Sequence, residues 1–245
     1  MVTGTITGTT IPTIMAMTTH MITIMGITTT ITPMTDAGLL TLTHWLSPVF
    51  PVGGYAYSAG LETAIADALV ADEEALADWL DHSLAAGAGL TDAVLLTSAM
   101  EADADAATLN DWARALSPSA ERWQETWEQG QAFTRALADM GSDPGVPVAL
   151  PVAVGRAARD LGLRPEQVAA LYLQAMVANL ATGAVRHIPL GQTAGQRIIA
   201  GLAPRILDTA AHAVTLTPET CFTASFGAEL AAMRHETQET RIFRT

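Results

Sequence analysis

The chain has 245 residues, 25 acidic side chains against 12 basic ones, and a formal net charge of −13. That balance excludes sequence-independent nucleic-acid binding, which depends on neutralising phosphates with Lys and Arg, and it excludes docking on an anionic membrane. All twelve basic residues are arginine and Cys221 is the only cysteine, so the chemistry of a P-loop lysine, a lysine Schiff base, an intramolecular disulfide and a multi-cysteine zinc site is absent.

Residues 1–38 are a low-complexity run of Thr, Ile, Met and Gly that holds six of the ten methionines. The run has no basic n-region, so it is no signal peptide. Thr, Gly, Pro and His20 interrupt every apolar stretch, so it is a poor membrane span. We expect a disordered extension here, and Met34 is a second candidate for the start of translation.

From Leu39 the texture changes to Ala and Leu. Leu39, Leu40, Leu42, Thr43 and Leu46 mark a short first helix that Pro48 stops. Ser58 is expected to cap a helix beginning at Ala59, with Glu62 in its first turn. Asp72 caps the next helix, in which Leu76, Trp79, Leu80, Ser83 and Leu84 recur at three- and four-residue steps, and Gly87 and Gly89 loosen its end. Residues 91–103 form another. Ser117-Pro118 reads as an N-cap and first helical position, followed by a helix carrying Trp123, Trp127, Gly130, Thr134 and Leu137. A loop spans 140–150, and a helix over 150–160 ends at Leu161-Gly162. Pro165 opens a helix running to about Arg186. Residues 191–212 are helical with a kink or break at Pro204, and 219–234 make the last helix. No period-2 alternation of strand length follows residue 38. The expected fold is therefore all-α, a single-domain bundle of about ten helices over 39–245 behind the extension.

Three segments stand out chemically. The first is SPVFPVGGYAYSAGLE (47–62). Its A-x-S-x-G stretch around Ser58 is one residue from a hydrolase nucleophile elbow, but that chemistry needs a strand feeding the serine, and two prolines and two glycines make a poor strand. The second is AVRHIPLGQTAGQR (184–197), a helix end, a Pro turn and a new helix. Gln192 and Gln196 lie one turn apart, and Arg186 and Arg197 suit either structural ion pairs or a phosphate-stabilising arginine finger. The third is MRHETQETRIFRT (233–245). Its His235-Glu236 lacks the second histidine of a zinc motif, because position 239 is Glu. What remains is either a solvated helix end or an arginine- and aromatic-anchored tail for a partner.

In this order the three segments resemble the urease accessory protein F family. ERWQETWEQGQAF (121–133) and PVAVGRAARDLGL (151–163) are similar to the same family's intervening segments. The likeness runs from about residue 39 to the end, and the Thr/Met run departs from it. The resemblance implies an all-α, cytoplasmic, homodimeric chaperone with no catalytic centre, no cofactor and no resident metal. Its implied partners are the accessory protein D/H, the nickel-carrying GTPase G and apo-urease, to whose carbamylated-lysine site nickel is delivered. The family's tail contacts D/H, which points here to Arg234, His235, Glu236, Thr237, Arg241 and Phe243. The front turn, Pro51, Gly53, Gly54 and Tyr55 with Ser58, Gly60, Leu61 and Glu62, is expected to shape the surface that receives the GTPase or supports the dimer. Arg186, Pro189, Gly191, Gln192 and Gln196 complete the implied partner-binding set. The rival expectations are an activator that inserts Arg186 or Arg197 into the GTPase, and a serine hydrolase using Ser58.

Overall fold

The computed structural model describes residues 21–24, 27–30 and 36–244. The chain divides into two units, Met1–Pro33 and Met34–Thr245. In the first, β1 (Met21–Ile24) pairs antiparallel with β2 (Ile27–Thr30), Ile24 opposite Ile27 and Met21 opposite Thr30. The β-branched run thus forms a short hairpin inside the stretch expected to be disordered. The rest of that expectation, and the alternative start at Met34, lie outside the described residues.

The second unit is all-α, with eleven α-helices among the described residues: α1 (Asp36–Trp45), α2 (Leu61–Ala66), α3 (Glu73–Ala86), α4 (Ala88–Ala99), α5 (Ala106–Ala115), α6 (Ala120–Asp139), α7 (Leu150–Ala158), α8 (Pro165–Ala184), α9 (Gln192–Gly201), α10 (Ala203–Ala213) and α11 (Phe226–His235). At the centre lies α4. Ten of its twelve residues are buried, as a helix that is apolar all round requires, and α3, α5, α7, α8 and α10 pack around it. Two glycines set how closely helices cross. A Cβ on Gly155 of α7 would stand 2.2 Å from the Leu96 carbonyl oxygen of α4, and one on Gly130 of α6 would stand 1.9 Å from that of Val148. No larger residue fits either crossing without separating the helices.

Local signals explain most boundaries. The Asp72 carboxylate accepts the Ala75 N–H at 2.9 Å and starts α3, and Pro165 occupies the first turn of α8. Four expectations are corrected. The cap of α6 is Ser119, whose Oγ accepts the Arg122 N–H at 3.0 Å, while Ser117 Oγ donates to the Ala113 carbonyl behind it. The helix expected over 91–103 is α4, which begins three residues earlier because Gly87 alone separates it from α3, and it ends at Ala99. The stretch 191–212 takes the second of its two expected forms, a break, but at Leu202, two residues before Pro204, since Pro204 lacks an N–H and is accepted only in a first turn. The last helix begins at Phe226 rather than 219. Residues 218–220 make one 3-10 turn, and the link that follows runs past α3, with the Ala224 N–H bonded to the Ala86 carbonyl.

Candidate functional site

The front turn and the chain end meet on one side of the bundle, Glu62 and Ile242 being 180 positions apart. The turn is built on glycine. Gly53 has φ +73° and precedes a 3-10 turn, Gly54–Ala56, whose Gly54 carbonyl accepts the Asn179 amide at 2.8 Å. Ala59 (φ 51°) and Gly60 (φ 80°) then reverse the chain into α2. A Cβ on Gly60 would also lie 2.7 Å from the Ala232 nitrogen, so the turn touches the α11 backbone directly. Ser58 is 3% exposed and its Oγ accepts the Glu62 N–H at 3.3 Å. It therefore acts as a cap, but for a helix that begins at Leu61, two residues after the expected start, because the left-handed pair 59–60 intervenes. An inward-facing hydroxyl is the opposite of what a hydrolase elbow presents.

Glu62 is the hub. One carboxylate oxygen accepts the Ile242 N–H at 2.8 Å and the Gln238 amide at 3.3 Å. The other accepts the Phe243 N–H at 2.8 Å and faces His235 Nε2 at 3.2 Å. Burial pushes this carboxyl up, but the Phe243 and Ile242 amides and the His235 ring outweigh burial and hold it below the usual carboxylate range. His235 is fully buried, and its Nδ1 lies 2.7 Å from Glu121 Oε2 on α6.

The tail is tied along α6 as well. Arg241 reaches Glu121 at 2.7 Å, and Arg244 reaches Glu128 at 2.9 Å while lying 5.6 Å over the Tyr57 ring. The Arg244 N–H donates to the Ala56 carbonyl. Glu236 accepts the Ala120 N–H at 2.8 Å, placing an anion at the positive end of α6. Arg234 pairs with Asp67 at 2.8 Å, and Thr237 donates to the Arg234 carbonyl at the end of α11. Tyr57 donates to Glu128 at 2.7 Å, and burial together with that carboxylate pushes its phenol well above the usual range.

The segment 184–197 joins only by its first residues. The Phe243 ring meets His187 edge-on at 5.2 Å and passes close to Gly183. Pro189, Gly191, Gln192 and Gln196 are exposed and make no hydrogen bond to the tail. Arg197 is paired with Glu73 at 2.6 Å, whereas exposed Arg186 makes no ion pair among the described residues. Arg186 and Tyr55 (76% exposed) lie at a cleft of about 310 Å³ between the front turn, α6 and α8. On the wall of that cleft the largely buried Arg122 pairs with Asp92 at 2.7 Å and Glu125 at 3.2 Å, and Tyr172 donates to Asp92 at 2.8 Å. Among the described residues no three His, Cys, Asp or Glu side chains are grouped to hold a metal ion, and no helix is long and apolar enough to cross a membrane.

Of the sequence-predicted residues, Ser58, Gly60, Leu61, Glu62 and His235 are buried and build the site from beneath. Pro51, Tyr55, Arg234, Glu236, Thr237 and Arg241 are on its surface. Sequence reasoning missed Tyr57, Glu121, Glu128, Gln238 and Arg244. It also missed an apolar stripe on α11, where Phe226, Leu230 and Met233 are 74%, 56% and 46% exposed next to Phe222 at 79%. Their i, i+4, i+7 spacing was legible, but it reads equally as a core face.

Residues 70–203 match the UreF family model. A protein of Jannaschia sp. (strain CCS1) named urease accessory protein UreF is 52% identical over 208 residues, covering 85% of this chain and 94% of the relative. The chain belongs to the UreF family. Proteins of the same name from Paracoccus denitrificans (strain Pd 1222) and Cereibacter sphaeroides (strain ATCC 17023) are 50% and 49% identical, covering 89% and 86% of this chain and the whole of each relative. The matched span of this UreF chain takes in α3 to α9 and leaves Glu62 and the tail outside it.

Proposed function

We propose that the protein is a non-catalytic scaffold of urease maturation. In this reading α11 and the tail present a surface to the D/H accessory protein, and the front turn with Arg186 faces the nickel-carrying GTPase or a second copy of the chain. The assembled complex then docks on apo-urease in the cytoplasm and promotes nickel insertion. The observation that carries the reading is the convergence on Glu62. A buried carboxylate holds two backbone amides of the tail, so the turn and the tail form one composite surface, flanked by an exposed apolar stripe of the kind that marks interfaces. Binding that surface in one nucleotide state of the GTPase better than in the other couples hydrolysis to metal release. Nickel passes this chain as cargo, and calorimetry of the isolated protein with Ni²⁺ is expected to find no stoichiometric micromolar site.

The test is co-purification with a D/H-type protein. The full chain is expected to retain it, and a chain ending at Met233 to lose it. Leu230→Glu, which alters an exposed side chain and leaves Glu62 and its partners intact, is expected to weaken capture at least tenfold. Undiminished capture by both variants overturns the assignment of this surface. One observation favours a second reading, a GTPase activator, since Arg186 is exposed and makes no ion pair among the described residues. A large rise in GTP turnover that Arg186→Ala abolishes would establish it in place of the scaffold.

A further inference from the structure

We propose that Glu229, with the slot beside it, receives a lysine side chain of the protein that docks on α11, and so selects a basic partner for that face. The inference rests on the reading of α11 as a partner surface, but the slot is tested on the chain alone, so the two fail separately.

The position of Glu229 gives the reason. It lies three residues after Phe226, next to Leu230 and four before Met233, on the border between the exposed stripe and the inner face of α11. The residue is half-buried, and its Oε1 is buried with no hydrogen-bond partner among the described residues. The arginines of this side are committed elsewhere. Arg234 is turned to Asp67, Arg241 to Glu121 and Arg244 to Glu128, and Arg122 is held by Asp92 and Glu125.

Beside Glu229 a slot of about 50 Å³ lies between α11, α6 and the end of α5, walled also by Thr126, Ser117, Ser225, Asp92 and Arg122. Thr126 is 4% exposed, and its hydroxyl, like Glu229 Oε1, bonds to nothing among the described residues. Two unpartnered oxygens on one slot call for a donor, since a carboxylate only accepts. The charge of the surroundings says which kind. Asp92, Glu125 and Glu229 are set against the single guanidinium of Arg122, so the slot is negative, repels an anion and favours a cation. One water takes about 10–15 Å³ of such a cavity, so the volume suits a compact ammonium with its last methylenes better than the wide planar fork of a guanidinium. The chain contains no lysine. A second copy therefore cannot supply the group, and the occupant belongs to a different protein.

Docking makes the pairing a condition of fit. A partner that covers Phe226, Leu230 and Met233 strips the remaining water from Glu229. A neutral or acidic contact then leaves a carboxylate unpaired and dry, which is costly, whereas an ammonium pairs it. The apolar stripe supplies attraction, and Glu229 supplies discrimination.

The test is an amide-shift titration of the full chain with n-butylammonium chloride as the lysine mimic, against n-propylguanidinium and n-butanol. The ammonium is expected to give saturable shifts at Thr126, Ser225 and Glu229, and n-butanol none there. The guanidinium is expected to bind at least about threefold more weakly. Glu229→Gln keeps the side chain's shape and removes its charge, and is expected to weaken the ammonium at least about tenfold, the loss of one charge-assisted bond. Thr126→Val removes the other acceptor and is expected to weaken it about threefold. Capture of a D/H-type protein by Glu229→Gln is expected to fall about tenfold and to lose part of its salt dependence. Shifts scattered over the surface, equal binding of n-butanol, or a Glu229→Gln titration or capture that superimposes on wild type overturns the proposal. A wild type that binds the ammonium yet captures no D/H-type protein retains the slot and overturns the reading of the face around it.

Discussion

Replacing Glu62 with Ala removes the acceptor shared by the Ile242 and Phe243 amides, the Gln238 side chain and His235. A hydrogen bond to a charged group contributes about 1.5–3 kcal/mol. The two amide bonds alone therefore set an upper range of about 3–6 kcal/mol on the same scale. The tail lies near the surface, and its freed amides regain water on opening, so we take the lower end, about 3 kcal/mol, as the loss. That is about a hundredfold shift toward the open tail. Because the chain has no lysine, trypsin cuts only at arginine, and cleavage after Arg241 reads tail opening directly. Glu62→Ala is expected to accelerate that cut about a hundredfold under conditions where opening is in rapid equilibrium. The bundle built around α4 makes no use of these bonds, so urea unfolding of the core is expected to move by less than about 1 kcal/mol. A cleavage rate within about threefold of wild type, against the hundredfold of that arithmetic, would refute the claim that Glu62 holds the tail.

Further outcomes follow from the same structure. Gly155→Ala forces α4 and α7 apart by about 1 Å and is expected to cost about 3 kcal/mol in urea unfolding, with unchanged denaturant slope. Arg122→Met strands the buried Asp92 carboxylate and is expected to cost about 3–5 kcal/mol, most of which the double variant Arg122→Met/Asp92→Asn recovers; additive losses in the double variant would contradict a paired role. Acid is expected to loosen the tail through Glu62. Its folded-state pKa lies below the ordinary value, so its contribution is complete above that value and is lost as pH falls through the depressed one. Proteolysis after Arg241 over an acid series, using a protease active at low pH, checks this.

The bundle was legible wherever its causes are local. Asp72 and Pro165 announce helix starts through side-chain acceptance and a missing N–H, and Leu95, Leu96 and Ala99 announce the inward face of α4. Ser117 misled because two serines flank Pro118, and only the geometry shows which one faces the α6 amides. At Pro204 a kink and a break both stay open, because sequence alone does not separate a bent helix from one that ends and restarts. The candidate site was legible in its parts and illegible in its assembly. Glu62 and Ile242 are 180 positions apart, and no periodicity links them. A trace does exist. Glu121 and Glu128 lie seven apart on α6, and Arg241 and Arg244 lie three apart in the tail, two charge pairs whose spacings match two turns of helix against a short extended strap. Matching them requires knowing that the strap runs along α6.

Which contacts fix the tail follows from their surroundings. The guanidinium side chains of Arg234, Arg241 and Arg244 are 55%, 36% and 59% exposed, and ion pairs in water contribute about 0–1 kcal/mol each and weaken with salt. Glu62 is 9% exposed and accepts backbone amides, whose positions along the chain are fixed as those of flexible side chains are not. The arginines therefore bring the tail to α6, while Glu62 sets its register to the residue. The same register holds Phe243 against His187 and draws α11 onto Gly60, where only small inner residues such as Ala232 are admitted. With the inner face of α11 reduced to Ala231, Ala232 and the His235 ring, the large apolar residues of that helix are left on the outside, and the exposed stripe is a consequence of how closely the tail helix is held.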